Sequence, residues 1–180
     1  PGISCKGPRN ERQRQRVTRA QNTVMVNGEN SSEVWAGLRL ARRARVRGLK
    51  IDRNGGILVR CSHDGYRRLP GKPEHRREWS CTSSTLMLVD RISGNFKSAQ
   101  ARFHLHPSVT LDECGLASDD EASAILRLPS GRKVVFSACG GKLRREDTMW
   151  HPELGRDVPN SCLVVDFTLP AIQTQISWDR

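Results

Sequence analysis

Residues 85–107 read TLMLVDRISGNFKSAQARFHLHP, and this stretch decides the fold class. Its first part, TLMLVDRI (85–92), is apolar on both alternating faces, which predicts a strand at the centre of a sheet. Ser93-Gly94-Asn95 is a turn signal. AQARFHLH (99–106) then predicts a second strand, which Pro107 ends.

The same succession of strand and turn recurs along the whole chain. Further strand-like segments are NTVMV (22–26), LRLARRARV (38–46), GILVRC (56–61), HRREWS (75–80), AILRLP (124–129), RKVVFSA (132–138), SCLVVDFTLP (161–170) and IQTQISW (172–178). In 38–46 the arginines keep a period of two, which favours a strand over the alternative, a helix capped by Asn30 and Glu33. Ser130-Gly131 predicts a two-residue hairpin. About ten strands with turns at short intervals predict an all-β fold, an antiparallel β-sandwich of about ten or more strands.

The charge of this 180-residue chain is unevenly distributed. Residues 1–80 contain 19 Lys and Arg against 7 Asp and Glu, whereas residues 81–180 contain 11 against 12. This asymmetry predicts a basic face that meets a polyanion. No apolar run approaches the roughly 18 residues of a membrane-spanning helix, so membrane insertion is not expected. The chain opens with charged residues and no signal peptide, and we expect it to continue from an upstream part.

The stretch HDGYRRLPGKPEHRREW (63–79) combines five Lys or Arg residues with two histidines and the tyrosine of the chain. Arginines beside a tyrosine and a histidine suit β-elimination from an acidic sugar, because cations acidify the proton that a Tyr or His removes. His63 and Tyr66 are the candidates for that proton transfer. The favoured alternative is a structural turn in which Tyr66 is packed and its hydroxyl is bonded to the backbone. Strand alternation places His75, Arg77 and Trp79 on one face and Arg76 on the other, so at most half of this run can face one ligand.

Other chemistries have weaker support. His104 and His106 lie two positions apart on a predicted strand, a spacing that can bind metal, but no third ligand is evident. The six cysteines form no C-x-x-C pair, which disfavours a closed zinc site and leaves one or two disulfides open. Nucleic-acid binding is disfavoured because no aromatic residue interleaves the basic runs near the N-terminus. Motifs for a serine nucleophile elbow, a P-loop or a dinucleotide site are absent.

Four segments together carry a resemblance to a known family. They are RQRQRVTRAQNTVMVNGENSSEVWAGLRLARRARV (12–46), SHDGYRRLPGKPEHRREW (62–79), DRISGNFKSAQARFHLHP (90–107) and MWHPELGRDVPNSCLVV (149–165). In this order they resemble the C-terminal domain of heparinase II/III-like proteins, most closely the bacterial branch found with exopolysaccharide or capsule genes. The resemblance implies the β-sandwich of a lyase that joins a helical toroid to such a domain and cleaves uronate-containing glycans by β-elimination.

The resemblance also implies which parts this chain does not supply. The family's catalytic tyrosine and histidines correspond to positions before Pro1, so no catalytic residue is expected here and the chain alone is expected to be inactive. The family's structural zinc takes the histidine of an Ala-His-Asn-Thr stretch, where this chain reads Ala20-Gln21-Asn22-Thr23. Because an amide is a poor zinc ligand, we expect neither zinc nor another cofactor.

The resulting hypothesis divides the chain into a basic, irregular segment (1–20) and a β-sandwich domain (21–180). The expected substrate-binding residues are Tyr66, Arg67, Arg68, Arg76 and Arg77, the arginines pairing with carboxylate or sulfate. The expected partners are an acidic polysaccharide and an upstream toroid of the same protein, in the periplasm or outside the cell. The alternatives are a non-catalytic module that binds acidic glycans and, with less support, a nucleic-acid-binding domain.

Overall fold

The computed structural model describes residues 15–35, 39–116, 121–153 and 156–179. These residues form a single 3₁₀ turn (Thr18–Ala20) followed by strands. The strands are β1 (Val24–Val26), β2 (Glu33–Val34), β3 (Leu40–Ala41), β4 (Val46–Asp52), β5 (Ile57–His63), β6 (Glu74–Cys81), β7 (Thr85–Ser93), β8 (Ala99–His104), β9 (Thr110–Leu116), β10 (Glu121–Arg127), β11 (Lys133–Cys139), β12 (Lys142–Glu153), β13 (Arg156–Phe167) and β14 (Ala171–Trp178). The described part of the chain contains no helix with the length and hydropathy needed to cross a bilayer.

The strands form two large antiparallel sheets and one small one. The first has the order β1-β8-β13-β12, the second has the order β4-β5-β6-β7-β14-β11-β10-β9, and β2 pairs with β3. The predicted antiparallel β-sandwich is therefore confirmed. The strand predicted to be central, 85–92, is β7, which has three strands on one side of it and four on the other.

The core lies between the four-stranded and the eight-stranded sheet. Phe103 of β8 meets Phe136 of β11 edge to face, with ring centroids 5.1 Å apart. Alternate residues of the facing strands fill the space around them, among them Leu88, Ile92, Leu163 and Val165, which are all buried. Burial of each such side chain contributes roughly 1.5–3 kcal/mol, so this layer dominates the stability of the fold.

Three local predictions differ from the structure. The strand predicted over 38–46 is wrong, because the chain leaves the extended conformation at Arg42 (φ 41°) and pairs only as β3 and β4. The alternative helix is not formed either, since Glu33 lies in β2. The hairpin of β10 and β11 is confirmed, but five residues (128–132) and not two lie between the strands: the amide of Gly131 donates to the carbonyl of Leu128 (2.8 Å), and Gly131 adopts φ 81°. Strands β2, β9 and β12 were not predicted.

The possible disulfides are not formed among the described residues. Cys61, Cys81, Cys114, Cys139 and Cys162 are free thiols, and Cys5 lies outside the described residues.

Candidate functional site

The basic stretch of residues 63–79 joins β5 to β6 at one end of the eight-stranded sheet. Between the strands the chain forms successive turns. The amide of Arg67 donates to the carbonyl of Asp64 (3.0 Å), and the amide of Leu69 donates to the carbonyl of Tyr66 (2.9 Å). Gly71, at φ 84°, packs its backbone directly against Asn95, leaving no room for a side chain. These contacts hold the side chains of the stretch in defined positions.

Tyr66 is buried under the first sheet. Its hydroxyl donates a hydrogen bond to the carbonyl of Val24 in β1 (2.7 Å). Burial raises the pKa of Tyr66 above its ordinary value. Tyr66 is therefore packed and bonded to the backbone, which was the prediction favoured over a role in proton transfer.

Arg67 and Arg68 differ in environment although they are adjacent. The Arg67 side chain is 57% exposed and pairs with Glu74 (3.0 Å) at the surface. Arg68 is largely buried, donates to the carbonyls of Gly65 and Asn30, and lies 3.7 Å from Glu33. Arg68 therefore ties the turn to the segment before β2, while Arg67 is accessible to a ligand.

Arg76 and Arg77 point to opposite faces of β6, as alternation predicts. Arg77 is buried and donates twice to Asp90, from Nε (2.7 Å) and Nη2 (2.9 Å). Its Nη1 donates to the carbonyl of Asn22, next to β1 (2.8 Å). Tyr66 and Arg77 therefore bond two backbone carbonyls at the edge of the four-stranded sheet, that of Val24 in β1 and that of Asn22 just before it. Arg76 is exposed on the other face.

A chain of hydrogen bonds connects two histidines to the same carboxylate. His63 Nδ1 accepts from the amide of Gly65 (3.3 Å), His63 Nε2 lies 3.1 Å from His75 Nδ1, and His75 Nε2 lies 2.7 Å from Asp90 Oδ1. All three contacts are satisfied when both imidazoles are neutral with the proton on Nε2. Each ring then donates to the next acceptor, and Asp90 accepts at the end of the chain.

The electrostatics agree with a neutral His63 and an ionised Asp90. Burial, followed by the proximity of His75, lowers the pKa of His63 to about 4. Burial by itself would raise the pKa of Asp90, but the hydrogen bond from His75 and the charge and hydrogen bonds of Arg77 outweigh it, so this pKa lies below its ordinary value. In this state the pair of histidines is a structural network and not a ready proton acceptor.

The outer face of the eight-stranded sheet carries the accessible cations. Strand register aligns Arg47, Ser62, Arg76 and Arg91 in one cross-strand row, with Lys50 opposite Arg60 beside it. We call Arg47, Lys50, Arg60, Arg76 and Arg91 the outer basic face. Arg47 is paired with Asp64 (2.8 Å), and Arg60 lies 3.7 Å from Glu78.

Among the described residues of this face, Arg76, Arg91 and Lys50 have no counter-charge, and Arg76 and Arg91 form a directly opposed pair. They are directly opposite each other on β6 and β7, and both are exposed. In the described part of the chain, neither has an ion pair or a side-chain hydrogen bond. Like charges opposite each other destabilise a sheet, whereas an anion bridging both guanidiniums would remove that cost.

The sequence predicted Arg76 but not Arg91. The run 85–92 is so apolar that it indicated a strand buried on both faces. Strand alternation places Asp90 and Arg91 on opposite faces, which would have indicated an outward Arg91. That inference requires knowing which face is the core. The pairing of Arg76 with Arg91 depends on the register of β6 and β7, which the sequence does not specify.

A second ionic cluster, which the sequence also did not predict, lies on the outer face of the four-stranded sheet. Glu146 of β12 accepts from Arg19 (2.9 Å), Arg144 (2.6 Å) and Arg102. Arg102 is buried and also donates from Nε to the carbonyl of Arg19 (2.9 Å). Although burial opposes ionisation, the three guanidiniums hold the pKa of Glu146 well below its usual range. The cluster fastens residues 15–20 to this sheet and borders a cleft of about 450 Å³.

The residues present do not fit the zinc that the family resemblance implies. Gln21 is exposed and offers only an amide where the family has an imidazole. Within the described ranges no three His, Cys, Asp or Glu side chains lie together in a way that could hold a metal. His104 bonds to the carbonyl of Arg19 (3.0 Å), and His106, beyond the end of β8, bonds to Ser108 (2.7 Å).

The comparisons with known proteins agree on the family and the fold. The sequence matches the family described as Heparinase II/III-like, C-terminal, over residues 1–179. No curated protein matches it. Among solved structures, a heparinase III, the BT4657 gene product, superposes with a TM-score of 0.73 at 14% identity. The heparan sulfate lyase HepC from Pedobacter heparinus gives 0.69 at 12% identity.

Each of these two similarities covers 98% of this chain, but only 27% of the solved chain. The chain therefore spans about a quarter of the length of the solved lyases that it matches. On the family match, which includes nearly every residue, the chain belongs to the heparinase II/III-like C-terminal family.

Proposed function

We propose that this chain is the β-sandwich domain of a polysaccharide lyase that cleaves uronate-containing acidic glycans by β-elimination, and that it supplies scaffold and part of the glycan-binding face. Membership of the family supports the reaction class. The observation that carries glycan binding is the unpaired, exposed couple of Arg76 and Arg91 on the outer basic face. A carboxylate or sulfate can accept from both guanidiniums.

The geometry assigns different tasks to the residues of the basic stretch. Arg67 and Arg76 are accessible and would bind the glycan, with Arg91 beside Arg76. Arg68, Arg77 and Tyr66 use their polar atoms on protein groups and would hold the turn and β1 in place. Proton transfer at the sugar would then come from residues outside this chain, because its tyrosine and its His63 are both engaged in structural contacts.

The second candidate is a non-catalytic module for acidic glycans. Gln21 is the observation that favours it, because loss of a zinc ligand is expected when a catalytic domain no longer needs its metal site. Both candidates place the protein where acidic polysaccharides occur, in the periplasm or outside the cell. They differ in whether the protein encoded by the complete reading frame releases unsaturated uronate products.

Binding of the purified chain at near-physiological salt tests the proposal. Heparan sulfate and alginate serve as acidic glycans, with a neutral glucan and duplex DNA as controls, because salt weakens purely electrostatic binding to any polyanion. The double variant R76E/R91E should lose glycan binding. R132E/K133E, which changes the same charge at the exposed β10–β11 hairpin, should bind normally. Equal affinity for DNA and both glycans, or equal loss in both variants, would contradict the proposal.

A further inference from the structure

The eight-stranded sheet extends beyond the sheet that covers it. Arg77 of β6 reaches the carbonyl of Asn22 beside β1, and its guanidinium lies 5.8 Å from the ring of Phe103 in β8. The four-stranded sheet therefore begins over β6, and β1 is its edge. Strands β4 and β5 lie on the far side of β6, where Asn22 and Thr23 approach Val46 and Cys61 but neither large sheet of the described residues continues over them.

The uncovered strands carry a core-like face. Register places Ile51, Val59, Trp79 and Leu88 in one cross-strand row, and Leu88 is part of the core. A second row runs from Val46 through His63 and His75 to Ile92, which is also in the core. The inner faces of β4 and β5 are thus direct continuations of the buried face of β6 and β7.

The large aliphatic side chains on this face are accessible to solvent. Val46 is 68% exposed, Leu49 60%, Ile51 55% and Ile57 52%. Leu49 is two positions from Ile51 and shares its side, and Ile57 is opposite Cys81 on the side of Val59. We call these four residues the β4–β5 overhang. On the opposite face of these two strands, Arg47, Lys50 and Arg60 are charged, so that face is more polar than the overhang although it includes Leu58.

A clustered aliphatic face of this kind marks a surface that another protein layer covers. The candidates for this covering layer are a second copy of the chain and another part of the same polypeptide. Exposed basic residues border the overhang, with Arg43 and Arg45 before β4 and Arg53 after it. Two copies packed by a two-fold axis would bring these borders together, which opposes self-association. The register shift between Arg47 and Lys50 also disrupts the free edge of β4 against strand pairing between copies.

We infer that the β4–β5 overhang is the docking face for another part of the same lyase polypeptide, an apolar layer bordered by carboxylates. The solved lyases support this occupant, because this chain accounts for only 27% of their length. The inference rests on the proposed function for the existence of that further part. It adds which surface of the sandwich receives it.

Cysteine labelling of Leu49→Cys tests the inference in two proteins, the 180-residue chain and the polypeptide encoded by its complete reading frame. Val135→Cys, on β11 and also exposed, is the matched control. Peptide mass spectrometry separates these positions from the native cysteines. In the longer polypeptide a maleimide should label position 49 at least about tenfold more slowly than in the short chain, because labelling then requires local opening. Position 135 should label equally in both.

A second variant gives an independent readout. L49D/I51D should lower the melting temperature of the short chain only slightly, because more than half of each side chain is already exposed to water. The same change should lower the melting temperature of the longer polypeptide, where it would place two carboxylates in an apolar contact.

Three results would overturn the inference: equal labelling of position 49 in both proteins, a reading frame that adds nothing to these residues, or a short chain that dimerises and protects position 49 by itself. Failure of the proposed function is separable from these results. A longer polypeptide that protects position 49 but neither binds nor cleaves acidic glycans would retain the docking face and refute the lyase proposal.

Discussion

Replacing Arg77 by methionine should destabilise the domain far more than the same change at the neighbouring Arg76. Arg77 makes two hydrogen bonds to Asp90, which is fully buried, and one to the backbone beside β1. Methionine fills a similar volume but, among the side chains of the described residues, leaves the Asp90 carboxylate with His75 as its remaining donor. Removal of one partner from a buried ion pair costs roughly 3–5 kcal/mol. For a domain of this size each kcal/mol shifts the melting temperature by roughly 2–4 °C, so the expected decrease is about 6–20 °C.

The neighbouring residue provides the control. Arg76→Met removes the same charge one position along the strand, but from an exposed side chain without a partner, and should change the unfolding free energy by less than about 0.5 kcal/mol. Urea unfolding followed by tryptophan fluorescence measures both variants, since Trp79 lies 5.9 Å from the Arg77 guanidinium. Equal stability of R77M and R76M would refute the reasoning.

The same two variants separate structural arginines from binding ones. R76M should weaken binding to heparan sulfate without a change in stability, whereas R77M should bind normally under conditions where it is folded. A folded R77M protein that has lost glycan binding would show that Arg77 contacts the ligand, as the sequence predicted. The Arg77 side chain would then have to leave its buried position when the glycan binds.

Four further outcomes are expected. Tyr66→Phe should cost roughly 1–3 kcal/mol, because the carbonyl of Val24 loses its buried donor, with glycan affinity unchanged in a binding titration. Because burial lowers the pKa of His63 from 6.5 to about 4, the unfolded chain binds more protons than the folded chain between these pH values, and the free energy of unfolding should fall as the pH decreases from 6.5 to 4. Urea unfolding at several pH values should show this as a slope of at most about 1.4 kcal/mol per pH unit for one proton, and the slope should be smaller in H63Q. Elemental analysis of the purified chain should find no stoichiometric zinc, which Gln21 is unsuited to bind. Absorbance at the wavelength of unsaturated uronates should not rise when the 180-residue chain alone is incubated with heparan sulfate or alginate.

Alternation made most of the sheet predictable from sequence. Residues 75–80 and 85–92 have the composition of strands, and short turns separate them from their neighbours, so their secondary structure followed from local chemistry. The strand predicted over 38–46 is wrong because arginines at every second position do not show that the chain stays extended over the whole segment. The left-handed conformation of Arg42 interrupts the extended chain, and an arginine gives no warning of it.

The candidate site was less predictable because it depends on register. The sequence placed Arg76 and Arg77 on opposite faces, and the structure agrees. It did not show that Arg91 lies opposite Arg76, because that pairing depends on the register of two strands, and the sequence does not specify where the turn between them begins and ends. Nor did it show that Asp90 would neutralise Arg77, since the partner is thirteen residues away and follows a mostly apolar run.

The density of cations in residues 63–79 therefore overstates the size of the binding surface. A guanidinium that enters the core needs a buried carboxylate, as Arg77 has in Asp90, or backbone acceptors, as Arg68 has. Either partner leaves less of the cation available to a ligand. The charge that remains for a polyanion is the part that the fold leaves unpaired, which among the described residues of this face is Lys50 and the opposed pair of Arg76 and Arg91. A basic sequence motif on a β-strand is consequently better judged by the unpaired cations of one face than by its total charge.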